Sequence, residues 1–157
     1  MAKAIHEKLS ESNPVVLCVL IGGLIPAGNL LPRLDFPLEL DYIHATRYAK
    51  EKVGQDKIDW VAKPRVSLKD RTVLIIEDIL DGGVTLAAII DYCRQQGAKA
   101  VYTAVLLDKR KVVRAPGGTK EADFTAISMD DGFVFGYGMD YEGYLRNAPG
   151  IYVVAPE

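Results

Sequence analysis

Several features that would mark a special class of protein are scarce in this sequence. It contains two cysteines, Cys18 and Cys93, and two histidines, with no Cys or His cluster at metal-ligand spacing. Because both cysteines lie in apolar segments, we predict reduced core residues rather than a disulfide. The net charge of −2 provides no basic field, so we expect no nucleic-acid partner.

Long apolar runs are missing as well. No run approaches the roughly 18 residues that a membrane-spanning helix needs, and the first residues lack the apolar segment of a signal peptide. We therefore expect a cytoplasmic protein with no membrane partner. Apolar residues still make up 49% of the 157 residues, which is enough to bury one core and too many for a disordered chain.

Strand-like and helix-like patterns alternate along the chain. Strands are predicted at 14–21, 38–48, 73–76 and 100–107, with an edge strand at 58–66 and short late strands at 133–136 and 151–154. Helices are predicted at 1–11, 24–34 and 86–97. This alternation predicts an α/β fold, in which a parallel sheet of about five strands has helices on both faces.

The segment 73–86 carries the strongest chemical signal. Four apolar residues lead into Glu77 and Asp78, and a third carboxylate, Asp81, precedes a Gly-Gly turn and Thr85. At the end of a buried strand, such a turn and the following helix present free N–H groups to an anion. The acids would repel a bare phosphate, so a divalent cation or sugar hydroxyls should lie between them. The pattern predicts a site for a phosphorylated sugar with magnesium, and the alternative is an ordinary turn after a charged strand end.

The complete pattern, strand-Glu-Asp-x-x-Asp-Gly-Gly-x-Thr, resembles the phosphoribosyl diphosphate (PRPP) motif of type I phosphoribosyltransferases. Segments 106–110, 122–124, 133–141 and 144–146 resemble the hypoxanthine-guanine phosphoribosyltransferases in order and spacing. The resemblance covers residues 1–155. It implies a single phosphoribosyltransferase domain over 1–157. This domain would have a core at about 1–111, a flap at 49–66 that closes over the site, and a small hood at about 112–140.

The resemblance also implies an activity. In this family the 5-phosphoribosyl group of PRPP is transferred to hypoxanthine or guanine, giving IMP or GMP and pyrophosphate, with Mg²⁺ as the cofactor. Two alternatives stay open: an enzyme that prefers xanthine, and a non-catalytic PRPP-sensing module that binds nucleic acid. Relatives are usually dimers or tetramers, so we expect a homodimer or homotetramer.

Individual roles follow from the same resemblance. Asp81 is implied as the catalytic residue at N7 of the purine, and Tyr48 would act at the root of the flap. Lys109 would donate to O6 of the base, and since lysine offers only donors it favours 6-oxopurines. The residues implied for PRPP are Glu77, Asp78, Asp81, Gly82, Gly83, Val84 and Thr85. Magnesium would be held by Glu77, Asp78 and Asp140. The residues implied for pyrophosphate are Ile21, Gly22 and Arg146, and those implied for the purine, besides Lys109, are Phe133, Val134 and Asp140.

The chain also departs from the family pattern. Ile21 stands where many relatives carry lysine, so only backbone groups would serve pyrophosphate there. Gly82 replaces a common threonine, and Val84 stands where a basic residue is frequent. The sequence begins at the first core helix, whereas relatives have an earlier segment that joins the hood, so we expect either a short variant or a missing segment.

Overall fold

The computed structural model describes residues 1–48 and 57–155. The helices are α1 (Ala2–Leu9), α2 (Leu24–Leu30), which continues into a 3-10 turn (Leu31–Arg33), and α3 (Val84–Gln95). The strands are β1 (Val15–Leu20), β2 (Glu39–Tyr48), β3 (Lys57–Ala62), β4 (Thr72–Leu80), β5 (Ala100–Lys109), β6 (Phe124–Met129), β7 (Val134–Phe135) and β8 (Tyr152–Val153). Every helix and strand that the sequence predicts is present, which confirms the α/β fold.

The main sheet has six strands in the order β3-β2-β1-β4-β5-β6. Five of them run parallel, and β3 pairs antiparallel with β2 as the edge strand that was expected. The additional parallel strand is β6, which lies inside the range assigned to the hood and was not predicted. Its residues, Phe124–Met129, are partly buried or exposed with no strict alternation at a sheet edge, so the strand carries a weak apolar signal.

Helices cover both faces of the sheet, as predicted. On one face, Leu86, Ile89 and Cys93 of α3 pack on buried residues of β1, β2, β4 and β5. On the other face, Ile5 and Leu9 of α1 join residues of α2 against β1 and β4. Cys18 and Cys93 are both buried and free, in agreement with the expectation of reduced core residues.

The strand order reverses direction between β1 and β4. From β1 the chain continues to β2 on one side, whereas from β4 it continues to β5 and β6 on the other side. Two neighbouring strands whose following segments diverge leave a crevice at their carboxyl ends, where open α/β sheets bind ligands. The segments that follow β1 and β4 therefore determine what this crevice contains.

A second, two-stranded sheet lies beside the carboxyl end of β5. β7 pairs antiparallel with β8, which confirms the two late strands, and Val134 packs with Leu106, Leu107 and Met139. Of the predicted flap at residues 49–66, residues 49–56 lie outside the described residues, and so does the side chain of Tyr48, whose backbone ends β2. The later part of that range contains β3. Within the described ranges, no helix is both long enough and apolar enough to span a membrane.

Candidate active site

A cavity of about 720 Å³ opens at the carboxyl ends of β1, β2 and β4. Most of the residues that the sequence singled out line it: Ile21, Gly22, Glu77, Asp78, Asp81, Gly82, Gly83, Val84, Thr85, Asp140 and Arg146. Three predicted purine-side residues, Lys109, Phe133 and Val134, do not line this cavity within the described structure. The fold thus brings together residues from the ends of two strands and from the irregular segment after β7.

The loop from Asp81 to Thr85 connects β4 to α3. Gly83 precedes α3 with a left-handed backbone, φ +77°, and a side chain there would overlap the backbone of Thr119. The carbonyls of Gly82 and Gly83 accept hydrogen bonds from the N–H groups of Ala115 and Thr119, each at 3.0 Å. The glycine pair therefore allows the tight turn and the approach of a second backbone segment behind it.

Two carboxyl groups, Glu77 and Asp78, form the floor of the cavity. Both are largely buried, and the pKa of Glu77 is raised well above its ordinary value, first by desolvation and then by the Asp78 carboxylate. Burial first, and then these two acids, also raise the pKa of the nearby Cys18 thiol to about 11. Burying two adjacent carboxylates costs free energy, and a divalent cation bound between them would offset that cost. Magnesium fits this donor set, since it commonly binds one or two carboxylates together with substrate phosphates.

Asp81 is held by a buried cation. The Nζ of Lys109 lies 3.1 Å from Oδ2 of Asp81, and the lysine side chain is 10% exposed whereas the aspartate is 49% exposed. Lys109 comes from the end of β5, where Asp108 pairs with Leu80 of β4. Asp81 therefore presents a carboxylate to the cavity from a fixed position, with the ammonium group directly behind it.

The Ile21–Gly22 turn after β1 packs between two other segments. A side chain at Gly22 would overlap the Asp78 carboxylate, and a side chain at Gly138 would overlap the carbonyl oxygen of Gly22. The peptide bond between Leu20 and Ile21 is cis, and the Ile21 side chain is half exposed. Glycine on both sides of the contact lets the segment after β7 reach the crevice.

Arg146 and Asp140 form an ion pair beside this turn. Their charged atoms are 2.7 Å apart, and Arg146 also donates to the carbonyl of Gly138 at 2.8 Å. Both residues were predicted for the site, but their contact with one another was not. The pair fixes the cationic group at the cavity edge that contains Gly22.

The predicted purine-side residues of β7 lie apart from the cavity lining. Phe133 is 56% exposed and meets Tyr141 edge to face, with ring centroids 5.7 Å apart. The N–H of Val154 donates to the carbonyl oxygen of Phe133. Because hydrogen-bonded and non-hydrogen-bonded pairs alternate along an antiparallel ladder, the next pair, Val134 and Val153, is not hydrogen-bonded. The backbone groups of Val134 therefore point away from β8 and are available to a ligand.

Sequence reasoning missed Arg114. Its guanidinium donates to the carbonyl oxygens of Leu80, at 2.9 Å, and of Asp81, and it pairs with the carboxylate of Asp108. It lies in a turn-rich segment without apolar periodicity, where no local pattern distinguishes one arginine from its neighbours. His44 also lines the cavity, at the strand end where it pairs with Leu20.

Comparison with known proteins identifies relatives over nearly the whole chain. The model of the phosphoribosyl transferase domain family matches residues 1–142. The hypoxanthine-guanine phosphoribosyltransferase of Bacillus subtilis is 35% identical over 149 residues, which cover 93% of this chain and 79% of the relative. Bifunctional TilS/HprT proteins of Listeria match over 22% of their own length.

Solved structures that superpose on this chain are also phosphoribosyltransferases. A hypoxanthine-guanine-xanthine phosphoribosyltransferase superposes with a TM-score of 0.86 at 26% identity, covering 99% of this chain and 87% of the other. A hypoxanthine phosphoribosyltransferase of Trypanosoma cruzi, studied for the role of its C-terminal region in oligomeric state and activity, gives a TM-score of 0.88 at 28% identity. This match covers 99% of this chain and 83% of the other.

Proposed function

The chain belongs to the hypoxanthine-guanine phosphoribosyltransferases, and from that premise we propose that it transfers the 5-phosphoribosyl group of PRPP to hypoxanthine or guanine. The products are IMP or GMP and pyrophosphate, and the reaction serves purine salvage. The observation that carries this function is Asp81, which is paired with Lys109 at the base of the glycine loop and lines one cavity together with Glu77 and Asp78.

Asp81 acts next to the reacting carbon. The reaction displaces pyrophosphate from C1 of the ribose, so positive charge grows on the sugar ring as the bond breaks. A carboxylate facing the cavity stabilises that charge and accepts or returns the proton at N7 of the purine. Lys109 fixes the orientation of the Asp81 carboxylate and donates to O6 of the base, which disfavours a 6-amino purine.

The other cavity residues divide between the two phosphate-bearing ends of PRPP. The N–H groups of Gly82, Gly83, Val84 and Thr85, with the Thr85 hydroxyl, bind the 5′-phosphate at the start of α3. Ile21 and Gly22 offer backbone groups to the pyrophosphate, and Arg146 offers its charge. Phe133 stacks on the purine, and the backbone of Val134 reads the far edge of the base.

Magnesium is the cofactor that the donor set fits. Glu77 and Asp78 would hold the ribose hydroxyls of PRPP directly or through the ion, and Asp140 would hold a second ion on the pyrophosphate. When bound, the metal neutralises charge on the leaving pyrophosphate. The family relationship and the two adjacent buried carboxylates support this assignment.

The breadth of the base specificity is a separate proposal. The structural similarity to a hypoxanthine-guanine-xanthine enzyme favours testing xanthine as an additional substrate. Lys109 suits any 6-oxopurine, so it separates these three bases from adenine but not from one another. The enzyme family of the relatives leaves the non-catalytic regulatory alternative without support.

Two further proposals concern the setting of the enzyme. We expect the enzyme to be a cytoplasmic homodimer or homotetramer. The related Trypanosoma cruzi enzyme has been studied for the role of its C-terminal region in oligomeric state, which supports testing for an oligomer here. A sedimentation mass equal to one chain would remove the oligomer proposal.

The direct test is nucleotide formation from PRPP with hypoxanthine, guanine, xanthine and adenine, each with and without Mg²⁺. We expect turnover of hypoxanthine and guanine, none of adenine, and loss of activity when the metal is chelated. Turnover of adenine at a comparable rate would contradict the role of Lys109. Absence of turnover with all four bases would contradict the proposed function.

A further inference from the structure

Four successive carbonyl groups at the end of β4 are bound by one other segment, residues 114–119, which we call the brace. The guanidinium of Arg114 donates to the carbonyls of Leu80 and Asp81. The N–H groups of Ala115 and Thr119 donate to the carbonyls of residues 82 and 83. Residues 80–83 therefore present their carbonyl oxygens to the brace, and the carbonyl of Gly83 also accepts a helical hydrogen bond from the N–H of Ala87.

The orientation of the carbonyls fixes the orientation of the amides. In a trans peptide the C=O and the following N–H point in opposite directions, so the N–H groups of residues 81–84 point away from the brace. The same residues line the cavity. Among the hydrogen bonds of the described residues, none has the N–H of Gly82 or Gly83 as its donor. A row of free N–H groups facing a cavity is an anion site, and the brace sets its geometry.

Arg114 is itself rigidly held. Its side chain is 14% exposed, and its second terminal nitrogen pairs with Asp108, which is 13% exposed. Its Nε donates to the carbonyl of Lys120 at 3.2 Å. A guanidinium presents planar, fixed donors that can bind two carbonyls and a carboxylate together, whereas a lysine ammonium has a single centre on a flexible stem.

Two glycines bring the brace into contact with the loop. A side chain at Gly118 would overlap the carbonyl oxygen of Gly82, and a side chain at Gly83 would overlap Thr119. The contact therefore depends on backbone approach as well as on Arg114. Arg114 and Gly118 can each be changed without altering a residue that lines the cavity.

We infer that Arg114 is a positioning residue for the 5′-phosphate: by binding the carbonyls of Leu80 and Asp81, it aims the loop amides at the phosphate of PRPP and of the product nucleotide. This inference rests on the proposed function. It predicts an effect on ligands that carry the 5′-phosphate and none on pyrophosphate, which binds at the opposite end of the cavity.

The test compares the affinities of IMP and of pyrophosphate with Mg²⁺ by calorimetry. For Arg114→Lys and Arg114→Gln we expect about tenfold or more weakening for IMP, since both lose the set of hydrogen bonds that the planar guanidinium makes to the loop carbonyls, and pyrophosphate affinity within about twofold of the unmodified enzyme. Gly118→Ala should reproduce the pattern by displacing the brace, so the test does not depend on the folding of one variant. Arg110→Gln, an exposed arginine before the brace, is the control and should change neither affinity.

The outcomes separate the two proposals. If all three variants retain the affinity of the unmodified enzyme for IMP, or lose IMP and pyrophosphate affinity in parallel, the inference is wrong while the proposed function stands. If the unmodified enzyme neither binds IMP nor turns over hypoxanthine, the proposed function fails and the inference fails with it. A selective loss for IMP that Arg114→Lys does not restore supports the planar guanidinium as the feature that matters.

Discussion

The two ends of the cavity are held in place in different ways. At the phosphate end, residues 81–85, residues 114–119 bind the carbonyls of residues 80–83 from behind, and no hydrogen bond of the described residues has the N–H of Gly82 or Gly83 as its donor. At the pyrophosphate end, which comprises Ile21, Gly22, Asp140 and Arg146, the groups that would bind a ligand are bound to one another. Arg146 pairs with Asp140 and donates to Gly138.

This difference predicts how much binding free energy is lost to rearrangement when a ligand occupies each end. A preorganised row of amides binds an anion without rearrangement, so little affinity is lost to ordering. The arginine at the pyrophosphate end must share its donors between the ligand and Asp140, an acid that is partly exposed. We therefore expect the phosphate end to supply constant affinity for substrate and product nucleotide, and the pyrophosphate end to respond to the charge state of the leaving group.

The largest effect is expected at Asp81, the first residue of the phosphate end. Asp81→Asn keeps the size of the side chain but removes the base and the charge partner of Lys109, so kcat with hypoxanthine should fall by roughly 10²–10⁴-fold. Steady-state kinetics at saturating PRPP measure this. Asp91→Asn, an exposed aspartate of α3, is the control and should leave kcat unchanged. An unchanged kcat in Asp81→Asn would show that the chemistry depends on another group.

Removing the cation at the pyrophosphate end is expected to have the next largest effect. Arg146→Ala loses a charged donor, which should raise the KM for PRPP and the KM for pyrophosphate in the reverse reaction by about tenfold or more. The affinity for IMP, which lacks the pyrophosphate, should stay within about twofold. Arg94→Ala on α3 is a matched exposed control. Equal losses for IMP and pyrophosphate would contradict the division of the cavity into two ends.

Much of the fold and of the phosphate end could be predicted because their signals are local in the sequence. The apolar run of β4 leads directly into Glu77 and Asp78, and the glycine turn directly precedes a helical period. The alternation of strands and helices along the chain predicted a parallel sheet, and the carboxyl ends of parallel strands meet at one edge of it. β6 escaped prediction because an edge strand needs few apolar residues, and Phe124–Met129 has no strict alternation.

The contacts that hold the site together could not be predicted, because they join distant residues. Arg114 contacts Leu80, 34 residues away, through side-chain donors that no spacing rule describes. Asp140 and Arg146 were both assigned to the site, yet a separation of six residues in an irregular segment does not indicate an ion pair. The sequence thus indicates which residues face the cavity better than it indicates what positions them.

A smaller effect is expected from the glycine that connects the pyrophosphate end to the segment after β7. Gly138 has φ +110°, and a side chain there would overlap the carbonyl of Gly22. Gly138→Ala should therefore lower the free energy of unfolding by about 1–3 kcal/mol. Gly28→Ala, in α2 with no atom near the added methyl, should instead raise it by about 0.5–1 kcal/mol. Thermal unfolding of both variants provides the comparison, and similar shifts in the two would contradict the close contact.

The smallest effect concerns the acid floor that both ends share. Burial and the Asp78 carboxylate raise the pKa of Glu77, so its protonated form is favoured in the folded state. Glu77 therefore contributes stability that is fully present below its ordinary pKa of 4.5 and is lost as the pH rises through its folded pKa. The glutamine of Glu77→Gln cannot ionise, so the stability of this variant does not fall with rising pH for this reason.

In the absence of divalent cations, the melting temperature of Glu77→Gln relative to the unmodified enzyme should therefore rise between pH 4.5 and pH 8. Melting curves in EDTA across that range measure the trend, with the exposed Glu121→Gln as a control that should show none. A difference that is constant with pH would mean that folding leaves the pKa of Glu77 unchanged, which would contradict the cost of burying its ionised form beside Asp78.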